Sequence, residues 1–269
     1  MQTIELGTWE NFEAHVKALR QNHKGDSPLL FRGQSDATWR LTTTLERAGH
    51  KEMSFASYYE VVNRIKPEIE TLMGTNWETP LNPDMNRLLR DYGSLMEALQ
   101  RPDVYRYLVH LRHHGFPSPL LDWTRSQYIA AYFAFAQPAK SADGLKSIYI
   151  FSERSEFTKN DRPRIVRLGP YIRSHRRHFL QQSDYSICVL FNNVLHFEPH
   201  DKVFGLGCPH QDILAKINIP STERLKVLKL LDEHNLNAFS LFGTEESLME
   251  TMAIRALEID GHDSAKAVA

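Results

Sequence analysis

Hydrophobic positions recur at helical spacing from residue 4 to 20, where Phe12, Val16 and Leu19 follow Thr8 as a candidate N-cap. After a loop from Asn22 to Pro28, the apolar run Leu29-Leu30-Phe31 has the length of a buried strand and ends at Arg32-Gly33-Gln34. Residues 53 to 73 and 85 to 111 return to a helical period, the first broken by Pro67 and the second by Pro102. The stretch from Gly74 to Pro83 between them reads as a loop. Leu120-Leu121 then predicts a short strand leading into Asp122-Trp123-Thr124. Thr124 is the expected cap of a helix from Ser126 to Ala136. Strands are expected at 147–152, 186–191, 214–219 and 238–242, and helices at 222–233 and 244–257, before a small polar tail at 260–269. This order predicts an α+β fold with a central, mainly antiparallel sheet. The chain from 1 to 269 reads as one domain with an inserted helical subdomain at about 53–111.

Composition sharpens that picture in two places. With 269 residues, 42% of them hydrophobic, the chain can bury a full core without metal or disulfide support, which excludes a disordered tail or a disulfide scaffold. The longest apolar run, Tyr128 to Ala136, is too short for a membrane span and is broken by Gln137-Pro138. Met1 to Leu6 has neither the basic nor the apolar part of a signal peptide, and Cys188 and Cys208 have no CxxC spacing. A cytoplasmic protein with no membrane partner is expected. The net charge of −1 excludes a protein that coats nucleic acid by charge alone.

Candidate chemistry gathers in three segments. Arg32, followed by Gly33 and Gln34, puts a planar five-donor fork at a strand end, suited to a phosphate or carboxylate; the alternative is an arginine reaching a surface carboxylate. From His113 and His114 to Ser126 the chain packs two imidazoles, Asp122, the Trp123 indole and the Thr124 and Ser126 hydroxyls around a strand-to-helix turn. Such a turn is a natural anion site, and Trp123 offers a ring to stack on; capping and core packing are the alternatives. The third segment holds Arg162, Arg164, Arg167, Arg173, Arg176 and Arg177, interleaved with Tyr171, His175, His178 and Phe179. It is either a polyanion contact or a solvated face, and it runs into Gln181-Gln182-Ser183-Asp184-Tyr185. No metal site is expected. His113 and His114 would face opposite ways on a strand, and the ligands on paper at His196, Glu198, His200, Cys208 and His210 are interrupted by Pro199 and Pro209. GxGxxG, Walker, GxSxG and HExxH motifs are absent from the sequence. Glu245, Glu246 and Glu250 open a helix and suit its dipole.

Taken together, Phe31-Arg32-Gly33-Gln34, His113-His114-Gly115, Leu120 to Ser126, Arg177 with Gln181-Gln182-Ser183, and Leu241 to Leu248 resemble the FRG domain family over residues 29 to 253. The order of strand arginine, Thr-x-Ser strand end and small-aromatic helix is also similar to ADP-ribosyltransferases. That second likeness implies an ADP-ribosyltransferase-like sheet and NAD as the consumed cofactor. It gives Arg32 a grip on NAD, and Gly33, Gln34, His113, His114, Asp122, Trp123 and Tyr128 a share in its binding. Thr124 and Ser126 would orient the nicotinamide ribose, and Gln181 or Gln182 would fill the third catalytic place, with Asp184, Glu198 and Glu246 as replacements. Trp-Thr-Arg-Ser in place of Ser-Thr-Ser, the missing Glu-x-Glu and the long helical insert depart from that pattern. The family likeness further implies a toxin or phage-defence effector that modifies a macromolecule, with an antitoxin protein as a possible partner. Arg173, Arg176 and Arg177 mark single-stranded RNA as the favoured acceptor over protein. The alternatives are a non-catalytic nucleotide- or nucleic-acid-binding module, or a hydrolase working through His113, His114 and Asp122.

Overall fold

In a computed structural model, the structure describes residues 2–23, 27–81, 97–99, 101–139, 144–153, 163–206 and 213–261. The strand Leu145–Ser152 (β4) is buried on both faces, as the middle of a covered sheet requires. It pairs along its whole length with Ile213–Pro220 (β8) on one side and with Leu30–Gln34 (β2) on the other. The sheet continues from β2 through Leu121–Thr124 (β3) and Ser183–Asn192 (β6) to Arg164–Arg167 (β5), and Val194–Phe197 (β7) also pairs with β6. Gln2–Glu5 (β1) closes the other edge, parallel to β8; the remaining pairings are antiparallel.

Both faces of the sheet are covered. Phe31, Ile148, Ile150, Ile217 and Ile219 pack under Trp9–Asn22 (α1), Gln127–Phe135 and Arg224–Glu233. At the β6 end of the same face, Tyr185, Ile187 and Val189 pack under the helices Phe55–Met73 and Pro102–His113. The reverse face carries Leu30, Trp123, Tyr149, Phe151 and Cys188 beneath Leu41 and Val203. The short helix Thr44–Arg47 begins with a capping box from Thr43 and Glu46.

Several local expectations are corrected. The helix expected from residue 4 starts at Trp9, with Thr8 accepting from the Asn11 amide, because Gln2–Glu5 finds a strand partner in β8. Pro67 does not break Phe55–Met73: it lies on the exposed side, where a helix can curve around the ring. Pro102 starts a helix, at the first turn where its missing N–H is harmless. The cap of Gln127–Phe135 is Ser126 and not Thr124, which stays in the strand. The strand expected at 238–242 is the helix Ala238–Phe242. Asn237 and Ser240 cap it reciprocally, and Gly243 ends it at a φ of 65°. Cys208, His210, Arg162 and most of the polar tail lie outside the described residues. Among the described residues, no helix is long and apolar enough to cross a membrane.

Candidate functional site: an arginine-lined cleft where two strands part

Strands β2 and β3 meet only at Phe31↔Thr124, although β2 pairs with β4 from Leu30 to Gln34. Beyond that single pair the two strands part, and the Arg32 guanidinium reaches across the gap to donate from Nη1 to the Asp122 carbonyl at 2.7 Å. A cleft of about 870 Å³ opens here, within the size range of small-molecule and cofactor sites. It runs from one face of the sheet toward the other. Phe133 and Phe242, with rings 6.1 Å apart, belong to the helical face, whereas the Trp39 carbonyl accepts from Tyr149 on the reverse face.

Arg32, Arg40, Arg47, Arg112 and Arg177 line the cleft, and Asp122 is the one acidic residue among its described lining. Arg40 is neutralised by a two-pronged bond to Asp201. Arg32, Arg47 and Arg177 have no carboxylate partner among the described residues. Burial pushes the Arg32 guanidinium down to about 10, with repulsion from Arg112 and Arg47 adding to it while Asp122 pulls back. Five of the eight buried side-chain polar atoms without a partner among the described residues lie here: Nε of Arg32, Arg112 and Arg177, Oε1 of Gln34 and Oδ1 of Asp122. In a chain of net charge −1, this is a local excess of cationic donors.

His113 also lines the cleft, at the end of a helix and not on a strand. Its Nε2 lies 2.9 Å from the Tyr185 hydroxyl, which lies 3.2 Å from Nδ1 of His178, whose Nε2 faces the Pro170 carbonyl at 3.1 Å. The carbonyl can only accept, so the chain of protons has one direction. His178 donates to Pro170, Tyr185 to His178 and His113 to Tyr185, leaving a lone pair on Nδ1 of His113. Burial holds the His113 imidazole down to about 4, against the pull of Asp122, so it is neutral at ordinary pH.

The other expected site residues divide by position. Gly33, Gln34, Trp123, Thr124 and Gln181 line the cleft with Arg32, His113, Asp122 and Arg177. Gly33 serves the helix beside it more than a ligand, since a Cβ there would sit 1.9 Å from the Ala130 carbonyl. Trp123 is only 2% exposed, donates to Ser186 and packs on Phe151, so its ring belongs to the core and cannot stack on a ligand. Ser126 spends its hydroxyl on the Ile129 amide. Tyr128 bonds Glu13 and packs against Trp9, away from the cleft. His114 is exposed and packs against His110 and His175. Gln182 takes a φ of 46° and uses its carbonyl to accept from the Arg125 amide. Asp184 is fully buried against Arg167, Glu198 pairs with Lys202, and Glu246 sits exposed at a helix start, its carboxyl lowered by backbone and Thr244 hydrogen bonds.

The arginine segment is not one face either. Arg167 is committed to Asp184 and Arg177 turns into the cleft, which leaves Arg173 and Arg176 exposed beside Tyr171 and Phe179. Sequence reasoning missed Arg40, Arg47 and Arg112. Arginines that follow a short strand or end an amphipathic helix carry no local mark of a shared cleft.

No curated protein and no solved structure matches this chain. The model of the FRG domain matches residues 27–143, short of the C-terminal segments that also resembled the family. The match takes in Arg32, Arg47, Arg112, Asp122 and Thr124, while Arg177, Gln181 and Phe242 complete the cleft from beyond it. Over residues 27–143 the chain is similar to the FRG domain.

Proposed function

We propose that the cleft binds NAD and that the protein transfers ADP-ribose from it to a macromolecule. The observation that carries this reading is Arg32, a buried guanidinium in the gap between two parting strands with its Nε unpartnered. A pyrophosphate placed there would satisfy that donor and relieve the repulsion from Arg47 and Arg112. The aromatic groups suit the rest of a dinucleotide. Trp39, 48% exposed, offers a stacking surface toward one end and Phe133 with Phe242 toward the other. Thr124 and Gln181 supply a hydroxyl and an amide for a ribose. Without the nicotinamide-releasing step, the same cleft would be a non-catalytic nucleotide-binding module.

Single-stranded RNA is the acceptor we favour over protein. Arg173 and Arg176 are exposed beside Tyr171 and Phe179, whose rings are 84% and 59% exposed, and Arg177 of the same segment reaches the cleft. Guanidinium groups for phosphates beside free rings for unpaired bases suit a single strand. A toxin or defence effector, checked by an antitoxin protein, is the setting that the family likeness suggests.

The test is to incubate the protein with labelled NAD and total cell lysate, then digest with nuclease or protease. Release of nicotinamide and label removed by nuclease are expected. Replacing Arg173 and Arg176 with Glu should abolish transfer to RNA and leave NAD binding intact. Absence of NAD binding would overturn the reading, and label removed only by protease would overturn the choice of acceptor.

A further inference from the structure

We propose that Asp122 is the catalytic carboxylate, facing the ribose carbon from which nicotinamide departs. The proposal rests on the ADP-ribosyl transfer reading and replaces Gln181 and Gln182 in the third catalytic role.

The proposal starts from an ion pair left half made. Arg112 donates to Asp122 through Nη2 and Oδ2 alone. Its Nε and the Asp122 Oδ1 are both buried and both without a partner. Three other arginine–carboxylate pairs among the described residues close on both oxygens. Arg40 meets both oxygens of Asp201, Arg224 both oxygens of Glu258, and Arg255 both oxygens of Asp232. Leaving a donor and an acceptor buried and open is costly unless a ligand fills them. Here the open acceptor is anionic and the open donor cationic, side by side in the cleft wall. A ribose phosphate unit presents the matching pair: a carbon that becomes positive and oxygens that stay negative.

Asp122 is also held in place. Its carbonyl accepts from Arg32, Oδ2 accepts from Arg112, and its backbone is paired with Tyr185 in the β3–β6 ladder. The rival carboxylates are elsewhere: Asp184 is closed on Arg167, Glu198 on Lys202, and Glu246 is exposed at a helix start. Gln181 donates its amide to the Leu241 carbonyl at 3.3 Å and presents at most a neutral oxygen.

In the step itself the bond between the ribose C1′ and the pyridinium nitrogen breaks, and its electron pair returns to that nitrogen, giving neutral nicotinamide. The positive charge moves to C1′ and the ring oxygen, where Oδ1 of Asp122 opposes it. A lone pair of the acceptor hydroxyl then forms the new bond to C1′, and the hydroxyl proton passes to water. The Asp122 carboxyl group is unchanged at the end of the step.

The experiment measures NAD affinity by calorimetry and nicotinamide release by chromatography in the wild type, Asp122→Asn and Asp122→Ala. Asp122→Asn should bind NAD within about 3-fold of the wild type and release nicotinamide at least about 100-fold more slowly. Formate added to Asp122→Ala should fill the vacated carboxylate position and restore part of the release, which a purely structural aspartate would not permit. Release by Asp122→Asn at close to the wild-type rate overturns the proposal, as does formate without effect on a folded Asp122→Ala. Loss of NAD binding together with release would make Asp122 a binding residue and overturn it as well. A wild type that binds NAD but releases no nicotinamide overturns the transfer reading first, and this assignment with it.

Discussion

Two aspartates sit one step apart on neighbouring strands and lead opposite lives. Trp123 pairs with Asp184 across the β3–β6 ladder and Asp122 with Tyr185, so the two carboxylates leave the sheet on opposite faces. Asp184 is wholly buried and wholly satisfied. Its Oδ2 accepts from Nε and Nη2 of Arg167, at 2.9 and 2.6 Å, and its Oδ1 from the Tyr185 amide at 2.9 Å. Asp122 is partly exposed, with one oxygen on Arg112 and the other buried and open. A closed pair holds the sheet together, whereas an open one in a cleft keeps bonding capacity for something else. The same division separates the strands. Where β4 pairs along all of β8 the sheet is scaffold, and where β2 meets β3 at a single position it has room for a ligand.

The largest expected effect lies on the closed side. Asp184→Ala leaves Arg167 without its counter-charge in the interior and should lower unfolding free energy by about 3–5 kcal/mol. Asp122→Asn should cost about 1 kcal/mol or less, as befits a partly exposed pair. Urea denaturation of both variants decides the matter, and equal losses would erase the distinction between the two pairs.

Next comes Arg32, whose replacement should separate stability from binding. Arg32→Met should weaken NAD binding by about 1.5–3 kcal/mol through the lost charge-assisted contacts. It should raise the melting temperature, because a buried cation that burial and two neighbouring arginines disfavour is gone. Calorimetry and a thermal melt on one sample test both signs. Arg32→Lys should bind poorly too, since a point charge cannot reproduce the fork.

Gly33→Ala tests how tightly β2 is pressed against its helix. The added methyl would meet the backbone of Ala130 and Ala134, at 1.9 and 2.7 Å, and backbone cannot swing aside. A loss of about 1–3 kcal/mol or more is expected in the same denaturation assay.

A pH dependence gives a further test. His113 is held down to about 4, mainly by burial, against an ordinary value of 6.5. Between those values the unfolded chain takes up a proton that the folded protein refuses, so stability falls as pH drops from 6.5 toward 4. Above 6.5 this contribution is complete and flat. His113→Gln should remove its share of the slope, and stability curves at pH 7, 5.5 and 4.5 would show whether it does.

Much of the fold was legible in local pattern, and the limits were physical. Apolar runs marked β2, β3, β4, β6 and β8, and Thr8 marked the start of α1. The edge strand Gln2–Glu5 is mostly exposed and carries little apolar signal, while Arg164–Arg167 hides two buried residues between arginines. Ala238–Phe242 has the composition of a strand, and reciprocal capping by Asn237 and Ser240 makes it helical. Of the site, Arg32, Gln34, His113, Asp122, Thr124, Arg177 and Gln181 were visible in the sequence as polar groups and come together in the cleft. Trp123 and Tyr128 looked equally suitable and are not available, because burial and the Glu13 bond are decided by tertiary neighbours. Arg112 has no sequence signal at all, since its role exists only where a helix end meets β3.

The most direct measurement is a calorimetric titration of the whole protein with NAD, run beside Arg32→Met. Saturable binding with a stoichiometry near one, lost in Arg32→Met while that variant melts no lower than the wild type, is the expected result. No heat of binding from the folded wild type, or equal binding by both proteins, would contradict an NAD site built on Arg32.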